Sequence, residues 1–356
     1  MKIIHTSDLH LNSKMDKLSS IKANVRREEL LRTFERLIDY AKVNGVSAII
    51  ISGDLFDTTK ISSKVYNRVM HSIVNASDID FLYLPGNHEQ ASFISMIEQI
   101  PENLKIFNSS WQYFRYGNVV ISGIAIDKAN SKILYDTCSF NSEDINIVSL
   151  HGQVAGYKTS DSEDLISIPL FRNKSIDYLA LGHYHSFAQG NIDERGKYVY
   201  CGCLEGRGFD ETGDKGFVLI DTDDKLSYQF VKFAYRTLFE ENIDVTAESN
   251  YLDFRNKLLD RLTSEISQDS LVKVVLVGEH PTTFDVDELN LSTLLNEKFF
   301  YAKVEDDTSL LVDIKDYELD KSYRGEFVRA VLNSDLDEKE KQLVIKKGLK
   351  ALKGEI

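Results

Sequence analysis

Cysteine, proline and tryptophan are scarce, with three, four and one in 356 residues. Cys138, Cys201 and Cys203 make neither an even-numbered disulfide framework nor a recognisable metal spacing, which argues against a stapled secreted scaffold and a thiolate zinc site. The absence of low-complexity tracts and fixed-period repeats argues against a disordered or solenoid chain. A net charge of −14 and a pI near 5.1 disfavour a protein that coats nucleic acid through bulk charge. They leave room for a nuclease with a local basic groove or bound ions. No run approaches the ~18 apolar residues of a membrane span, and Met1-Lys2-Ile3-Ile4-His5 enters a strand pattern without a signal-peptide core. A soluble, cytoplasmic chain in a reducing compartment is expected, with no membrane partner.

What is present suffices for one large or two ordinary domains, with 42% apolar content. Lys2 to Thr6 reads as a buried strand that stops at Ser7-Asp8-Leu9-His10. A helix is expected from about Val25 to Val43, with Arg26, Arg27, Glu28, Glu29 and Arg32 on a solvated face. Ser47 to Ser52 is a second strand, ending in Gly53-Asp54-Leu55-Phe56-Asp57, and a second helix covers Ser63 to Val74. His71 within that helix reads as structural or surface-exposed. A third strand, Phe81 to Leu84, ends in Pro85-Gly86-Asn87-His88-Glu89, and a helix is expected around Ser92 to Gln99. Strands alternating with helices imply parallel pairing, with loops at the carboxyl ends forming a crevice.

Val119 to Ala125 and Asn146 to Leu150 are further strands, the second ending in His151-Gly152, and Tyr178 to Leu181 ends in Gly182-His183-Tyr184-His185. Gln153 to Lys174 lacks periodicity and reads as a long loop over the site. Strands at Tyr198 to Gly202 and Phe217 to Asp221 flank Glu205-Gly206-Arg207-Gly208-Phe209-Asp210-Glu211, a connector that either touches substrate or simply turns. Cys201 and Cys203 alternate on one strand face and read as core packing. Tyr228 to Tyr235 closes the first domain, residues 1–236, and the acidic shift around Leu238 to Asn250 marks the boundary. Residues 237–356 carry helix and strand patterns but no catalytic signature.

Asp8, His10, Asp54, Asn87, His88, His151, His183 and His185 thus all fall at strand ends, and five of the chain's eight histidines are among them. Independent strand ends each delivering carboxylate, amide or imidazole require more than a structural explanation. Imidazole with carboxylate suits divalent zinc, iron, manganese or related ions. The group is larger than one ion needs, and two ions ~3.5–4 Å apart are a device for hydrolysing phosphate esters.

The motifs Asp8-Leu9-His10, Gly53-Asp54-Leu55-Phe56-Asp57, Gly86-Asn87-His88-Glu89, His151-Gly152 and Gly182-His183-Tyr184-His185 resemble those of the calcineurin-like metallophosphoesterases. That resemblance covers about the first 235 residues. It implies an α/β fold, a four-layer sandwich of two mixed sheets flanked by helices, followed by a smaller α+β capping domain. It also implies that Asp8, His10 and His185 hold one metal and Asn87, His151 and His183 the other, with Asp54 bridging. His88 is then the catalytic group facing substrate, while Asp57 and Glu89 orient ligands.

Within the superfamily, Thr6-Ser7-Asp8-Leu9-His10-Leu11, the Gly-Asp-Leu-Phe-Asp form, the connector from Arg207 to Gly216 and Gly325-Glu326-Phe327-Val328-Arg329 are similar to the SbcD-type DNA repair exonucleases. This implies a DNA nuclease using two divalent ions, manganese foremost, with Fe2+, Zn2+ or Mg2+ as alternatives. Its implied partners are DNA, an SMC-like ATPase (SbcC type) and a second copy of the chain. The terminal helix with Leu343, Val344, Leu349 and Leu352 either grips the ATPase or packs on its own domain, and Arg207 is a possible substrate contact. A phosphoesterase for small substrates such as cyclic nucleotides, and a non-catalytic DNA-end scaffold, remain the alternative readings.

Overall fold

The computed structural model describes residues 1–86, 92–155, 165–281, 284, 286–311, 317 and 320–352. The chain divides into two compact units, Met1–Thr237 and Leu238–Ile356.

The first unit is built on strands that alternate in facing because successive side chains in a pleated strand point to opposite sides. Its elements in order are β1 (Lys2–Thr6), α1 (Ser20–Val43), β2 (Val46–Ser52), α2 (Ser63–Val74), β3 (Asp80–Leu84), the helical turn α3 (Ser92–Ser95) and β4 (Leu104–Ile106). There follow β5 (Gln112–Tyr116), β6 (Val119–Gly123), the turn α4 (Leu134–Thr137), β7 (Ile145–His151), β8 (Gln153–Val154) and β9 (Leu165–Ile166). The unit closes with β10 (Tyr178–Gly182), β11 (Ala188–Asn191), β12 (Lys197–Tyr200), β13 (Gly216–Asp221) and β14 (Ser227–Lys232). Two six-stranded mixed sheets result, ordered β14-β13-β1-β2-β3-β4 and β11-β12-β10-β7-β6-β5.

Ile3, Ala48, Ile50 and Leu82 of one sheet share a core with Ile121, Ile147, Tyr178 and Ala180 of the other, so the sheets pack face to face. The alternate residues Ile4, Ile49, Ile51 and Phe81 turn outward, where Leu30, Phe34, Leu37 and Ile38 of α1 cover them. On the far side Val148, Leu150, Leu179 and Leu181 meet Leu134, Ile168 and Phe171. The central strands β1, β2 and β3 run parallel to one another, as do β6, β7 and β10. Both sets are buried on both faces, the condition under which parallel strands read as continuous apolar runs.

The structure departs from the sequence expectation at several places. Helix α1 begins at Ser20, where the Ser19 hydroxyl caps the Lys22 amide, five residues before the apolar stripe makes it legible. Arg26 and Glu29, expected on a solvated face, are buried. Arg26 Nη1 donates to Glu29 Oε2 (2.5 Å), and its Nη2 donates to Glu205 Oε2 (3.0 Å) and the Gly206 carbonyl (2.7 Å). Arg236 Nη2 reaches Glu29 Oε1 at 2.6 Å, completing a buried network of two guanidiniums and two carboxylates. A charge on the inner stripe is stable there only because it is paired, and pairing across 179 residues is invisible to periodicity. The helix expected around Ser92 to Gln99 is the single turn Ser92–Ser95, and the expected loop from Gln153 carries the paired strands β8 and β9 and a 3-10 turn, Ile168–Phe171.

The acidic stretch from Leu238 is itself strand β15 (Leu238–Asp244), the first of the second unit. It is followed by α5 (Tyr251–Glu265), β16 (Leu271–Val277), β17 (Glu279–Pro281), α6 (Glu288–Lys298), β18 (Tyr301–Asp306) and β19 (Ser309–Leu311). The sheet β15-β16-β18 is parallel throughout, with α5 and α6 as crossovers. Its acidic residues are explained by facing: Lys273 pairs with Glu240 (3.2 Å) and Glu305 (2.9 Å) on the open face, while Val272, Val274 and Leu276 bury against the helices.

Two helices follow, Tyr323–Leu332 and Glu338–Leu352, whose Val328 and Val331 pack on Ile345 and Leu349. Lys346 of the terminal helix pairs with Asp306 at 2.7 Å, tying it to the end of β18. Leu349 therefore packs within its own unit, whereas Leu343, Val344 and Leu352 are exposed. Among the described residues no helix is long and apolar enough to cross a membrane.

Removing Arg26 leaves Glu29 and Glu205 buried with a charge uncompensated. Arg26→Ala is expected to cost the first unit about 3–5 kcal/mol in chemical denaturation, and a loss below ~1 kcal/mol would show that water readily replaces the guanidinium.

Candidate active site at the converging strand ends

The parallel strands β1 and β2 of one sheet and β7 and β10 of the other all end at the same edge of the sandwich. Asp8 and His10 follow β1, Asp54 follows β2, His151 terminates β7, and His183 and His185 follow β10. The two chain segments beyond β1 and β2 stay paired after the regular strands stop: Asp8 N donates to Gly53 O (3.1 Å), His10 N to Asp54 O (3.0 Å) and Leu11 N to Leu55 O (2.9 Å). That pairing holds Asp8, His10 and Asp54 in the left-handed region at φ of +52°, +46° and +49°, and His183 lies at +100°. Such conformations cost about 1–3 kcal/mol each in non-glycine residues and persist only where the surroundings enforce them.

Crowding explains the motif glycines. At Gly53, φ is +94° and a Cβ would lie 2.0 Å from His151 Nδ1; at Gly86 it would lie 2.1 Å from Asp54 Oδ1. The carboxylate and the imidazole occupy the space a side chain would need.

The resulting cluster is polar and buried at its base, with Asp8, His10, Asp54 and His151 all buried, and it opens outward at half-buried His185 and exposed His183. Two overlapping groups have ligand atoms within 4.8 Å of one another, Asp8–His10–His185 and Asp8–Asp54–His151. In the first, His10 Nε2 faces His185 Nε2 at 3.2 Å, and Asp8 Oδ1 lies 4.0 and 3.7 Å from them. In the second, His151 Nε2 is 3.5 Å from Asp54 Oδ2, which also lies 3.9 Å from His10 Nε2. Asp54 and Asp8 thus both stand between the groups. The His183 ring centroid is 5.4 Å from that of His151, and its backbone amide donates to Asp8 Oδ1 (3.1 Å) and Oδ2 (3.0 Å). Asn87, His88 and Glu89 lie outside the described residues.

Three of the imidazoles are oriented from behind. His151 Nδ1 meets the Ser52 carbonyl at 2.9 Å, His10 Nδ1 meets Asp57 Oδ1 at 3.1 Å and His185 Nδ1 meets Glu211 Oε1 at 2.7 Å. A partner on Nδ1 aims Nε2 into the cluster, the arrangement metal-binding histidines use. Asp8 is braced by the Ser7 hydroxyl at 2.5 Å, itself within 3.0 Å of Cys201 Sγ. Cys201 and Cys203 are buried free thiols, and burial pushes both up in pKa.

The electrostatics divide the histidines. Burial holds His10 below its ordinary value despite the hydrogen bond its ring donates to Asp57. For His185 burial pulls the same way, but Glu211 and Asp8 outweigh it and raise the value. Burial also opposes charge on His151, yet Asp54 and Asp8 raise its pKa to about 9. His5, farther down β1 against the Tyr178 hydroxyl at 2.9 Å, is lowered to about 3 by burial and stays neutral in the core. His71 is exposed and hydrogen-bonded to Asn75.

The donor set fits divalent cations. Two nitrogens each about 2.1 Å from a shared ion stand roughly 3–3.5 Å apart, close to the 3.2 Å between His10 and His185. His151 Nε2 is a buried nitrogen without a hydrogen-bond partner among the described residues, aimed at two carboxylates. A cation held there would take the place of the proton that those carboxylates draw onto the ring.

Glu211 is the residue that sequence reasoning passed over. It lies in the Gly-rich connector, with an acidic residue between two glycines as its only signal, and no local pattern says that it reaches back to His185. The Arg207 guanidinium spans Asp57 Oδ1 (2.6 Å) and Glu211 Oε1 (2.8 Å).

A family model described as calcineurin-like phosphoesterase matches residues 1–187. The uncharacterized metallophosphoesterase YhaO of Bacillus subtilis is 26% identical over 298 residues, covering 79% of this chain and 72% of that protein. The DNA double-strand break repair protein Mre11 of Saccharolobus solfataricus is 26% identical over 345 residues, covering 90% of this chain and 86% of its own. The DNA double-strand break repair protein Mre11 of Methanosarcina acetivorans is 24% identical over 325 residues, covering 86% of this chain but only 50% of the relative.

The crowding at Gly53 can be separated from its backbone strain. Gly45→Ala, at φ +66° in open space, should cost about 1 kcal/mol from strain alone. Gly53→Ala should cost about 1–3 kcal/mol more in the same denaturation measurement, because it displaces an imidazole. Equal losses would mean that His151 gives way freely.

Proposed function

The chain belongs to the calcineurin-like phosphoesterase family, and from that premise we propose that it is a two-metal nuclease that hydrolyses phosphodiester bonds in DNA. The observation that carries the DNA reading is the extent of similarity: the alignments with the two DNA repair proteins cover 86% and 90% of this chain, well past the residues matched by the family model. A small-substrate phosphoesterase would have no evident need for the second unit.

In this reading Asp8, His10 and His185 hold one ion, Asn87, His151 and His183 the other, and Asp54 bridges them. The first three already form one close group, and Asp54 lies within 4 Å of a histidine from each set, which supports the division. Two divalent ions there, with manganese the expected species, supply Lewis-acid polarisation of the phosphoryl group and a nucleophile activated at neutral pH. The protein's part is to orient: Ser7 and the His183 amide fix Asp8, Asp57 and Glu211 fix two imidazoles, and the Ser52 carbonyl fixes a third. His88 is assigned to the substrate, where an imidazole protonates the leaving oxygen or stabilises charge on the phosphoryl group. Glu89 is assigned an orienting role. An SMC-like ATPase is the proposed partner, with the exposed Leu343, Val344 and Leu352 of the terminal helix as its contact, and a homodimer is the proposed assembly.

With Mn2+ present, the purified chain should cut linear duplex or single-stranded DNA. Cleavage of a small diester with no DNA substrate cut under any metal would sink the nuclease reading in favour of a small-substrate enzyme. His88→Ala should lower turnover about 100- to 10,000-fold with metal content intact, whereas Asp54→Ala should reduce metal content itself. Equal metal content in the two variants would overturn this division of roles.

Metal loading should also release protons. Asp54 and Asp8 raise His151 to about 9, so it carries a proton at neutral pH that it must shed to bind an ion, and Glu211 and Asp8 push His185 in the same direction. Affinity should therefore rise from pH 6 toward pH 9, and calorimetry in buffers of different ionisation enthalpy should count at least one proton released per chain at pH 7. A count of zero would exclude His151 as a ligand.

A further inference from the structure

We propose that Arg207 is a positioning residue for one metal and not the other, an inference that rests on the two-metal reading above. The two histidines of the Asp8–His10–His185 group are each aimed by a carboxylate, and the same carboxylate oxygens are held by one guanidinium. Asp57 Oδ1 meets both His10 Nδ1 (3.1 Å) and Arg207 Nη1 (2.6 Å). Glu211 Oε1 meets both His185 Nδ1 (2.7 Å) and Arg207 Nη2 (2.8 Å), while Glu211 Oε2 accepts from the Arg207 backbone amide at 2.7 Å. The 3.2 Å separation of the two Nε2 atoms closes the circuit His10–Asp57–Arg207–Glu211–His185.

Without the guanidinium, the two carboxylates would have no common anchor and their negative charges would be unscreened from each other. Glu211 keeps its bond from the backbone amide of residue 207 and Asp57 its bond from Ser13, but the two oxygens that aim the imidazoles lose the donor that fixes them relative to each other. The His151 side of the cluster lacks this dependence, because a strand carbonyl, Ser52 O, aims its ring. The asymmetry is between a side-chain clamp and a backbone clamp.

Arg207 is itself held at its base. The Gly206 carbonyl and the Glu205 carboxylate both accept from buried Arg26, so the connector leaves the core at a fixed point before Arg207 turns toward the histidines. Lysine cannot reproduce the clamp, since a single ammonium lacks the fork that spans two carboxylates. The outer side of the clamp faces a cavity of about 310 Å3 lined by Met15, Lys17, Asp57, Arg207, Gly208 and Glu211, wide enough to admit a small planar cation.

The test reads metal binding rather than turnover. Calorimetric titration of the full chain with Mn2+ should give two ions for the unmodified protein. In Arg207→Ala one ion should bind as before and the other about 10- to 100-fold more weakly. Arg207→Lys should behave like the alanine variant, and millimolar guanidinium entering the cavity should restore the weakened ion in Arg207→Ala, which damage to the fold would not permit. Adding His10→Ala to Arg207→Ala should abolish the already weakened ion and spare the other, while adding His151→Ala should weaken the ion that Arg207→Ala leaves unchanged.

Two ions bound with unchanged affinity in Arg207→Ala overturn the proposal, as do equal losses at both sites or a failure of guanidinium to rescue. An unmodified chain that binds fewer than two ions overturns this inference together with the two-metal reading. If the titrations come out as expected but no DNA is cut, the nuclease reading fails and the assignment of Arg207 stands.

Discussion

Everything about the candidate site depends on one constraint: strand ends from two facing sheets are driven into the same small volume. Packing the inner faces of the sheets buries their apolar residues and leaves the carboxyl ends of β1, β2, β7 and β10 converging at one edge. Polar side chains at that edge cannot avoid one another, and the backbone adopts left-handed turns at Asp8, His10 and Asp54 to aim them inward. The strain is affordable because the chain beyond β1 and β2 remains hydrogen-bonded, so the large sheet core determines a few unfavourable residues.

A second consequence is electrostatic. Several carboxylates and imidazoles enclosed together at low local dielectric need a counter-charge or a proton. The raised pKa of His151 and the lowered pKa of His10 express that competition, with Asp54 and Asp8 drawing charge onto one ring while burial withholds it from the other. Divalent ions resolve it better than protons, since each can satisfy several donors at once.

Beyond the cluster, support becomes longer in range and less local in sequence. Asp57 lies three residues past Asp54, but Arg207 and Glu211 come from a connector about 150 residues later. The same connector is rooted in the buried Arg26–Glu29–Glu205–Arg236 network, so an arginine of α1 and the last residues of the first unit bear on the setting of His185. Buried networks of this kind are sensitive to loss of any one partner.

The sequence alone determined the strands and the chemistry at their tips. Apolar runs that stop at Asp8, Asp54, His151 and His183 made both the sandwich and the candidate ligands legible, because burial on both faces leaves a continuous apolar signature and ligands must be polar. The helix Ser63–Val74 is equally plain from periodicity. Tertiary structure decided what periodicity cannot encode. Arg26 and Glu29 look like surface charges until partners from distant segments enclose them, and the acidic stretch Leu238–Asp244, where the second unit does begin, shows itself as a strand only when Lys273 pairs across the sheet. Glu211 becomes the partner of His185, and Arg207 the tie between two carboxylates, only when the connector folds back. The physical reason is the same in each case: a charge is placed by its partner, and partners far apart in the chain leave no local trace.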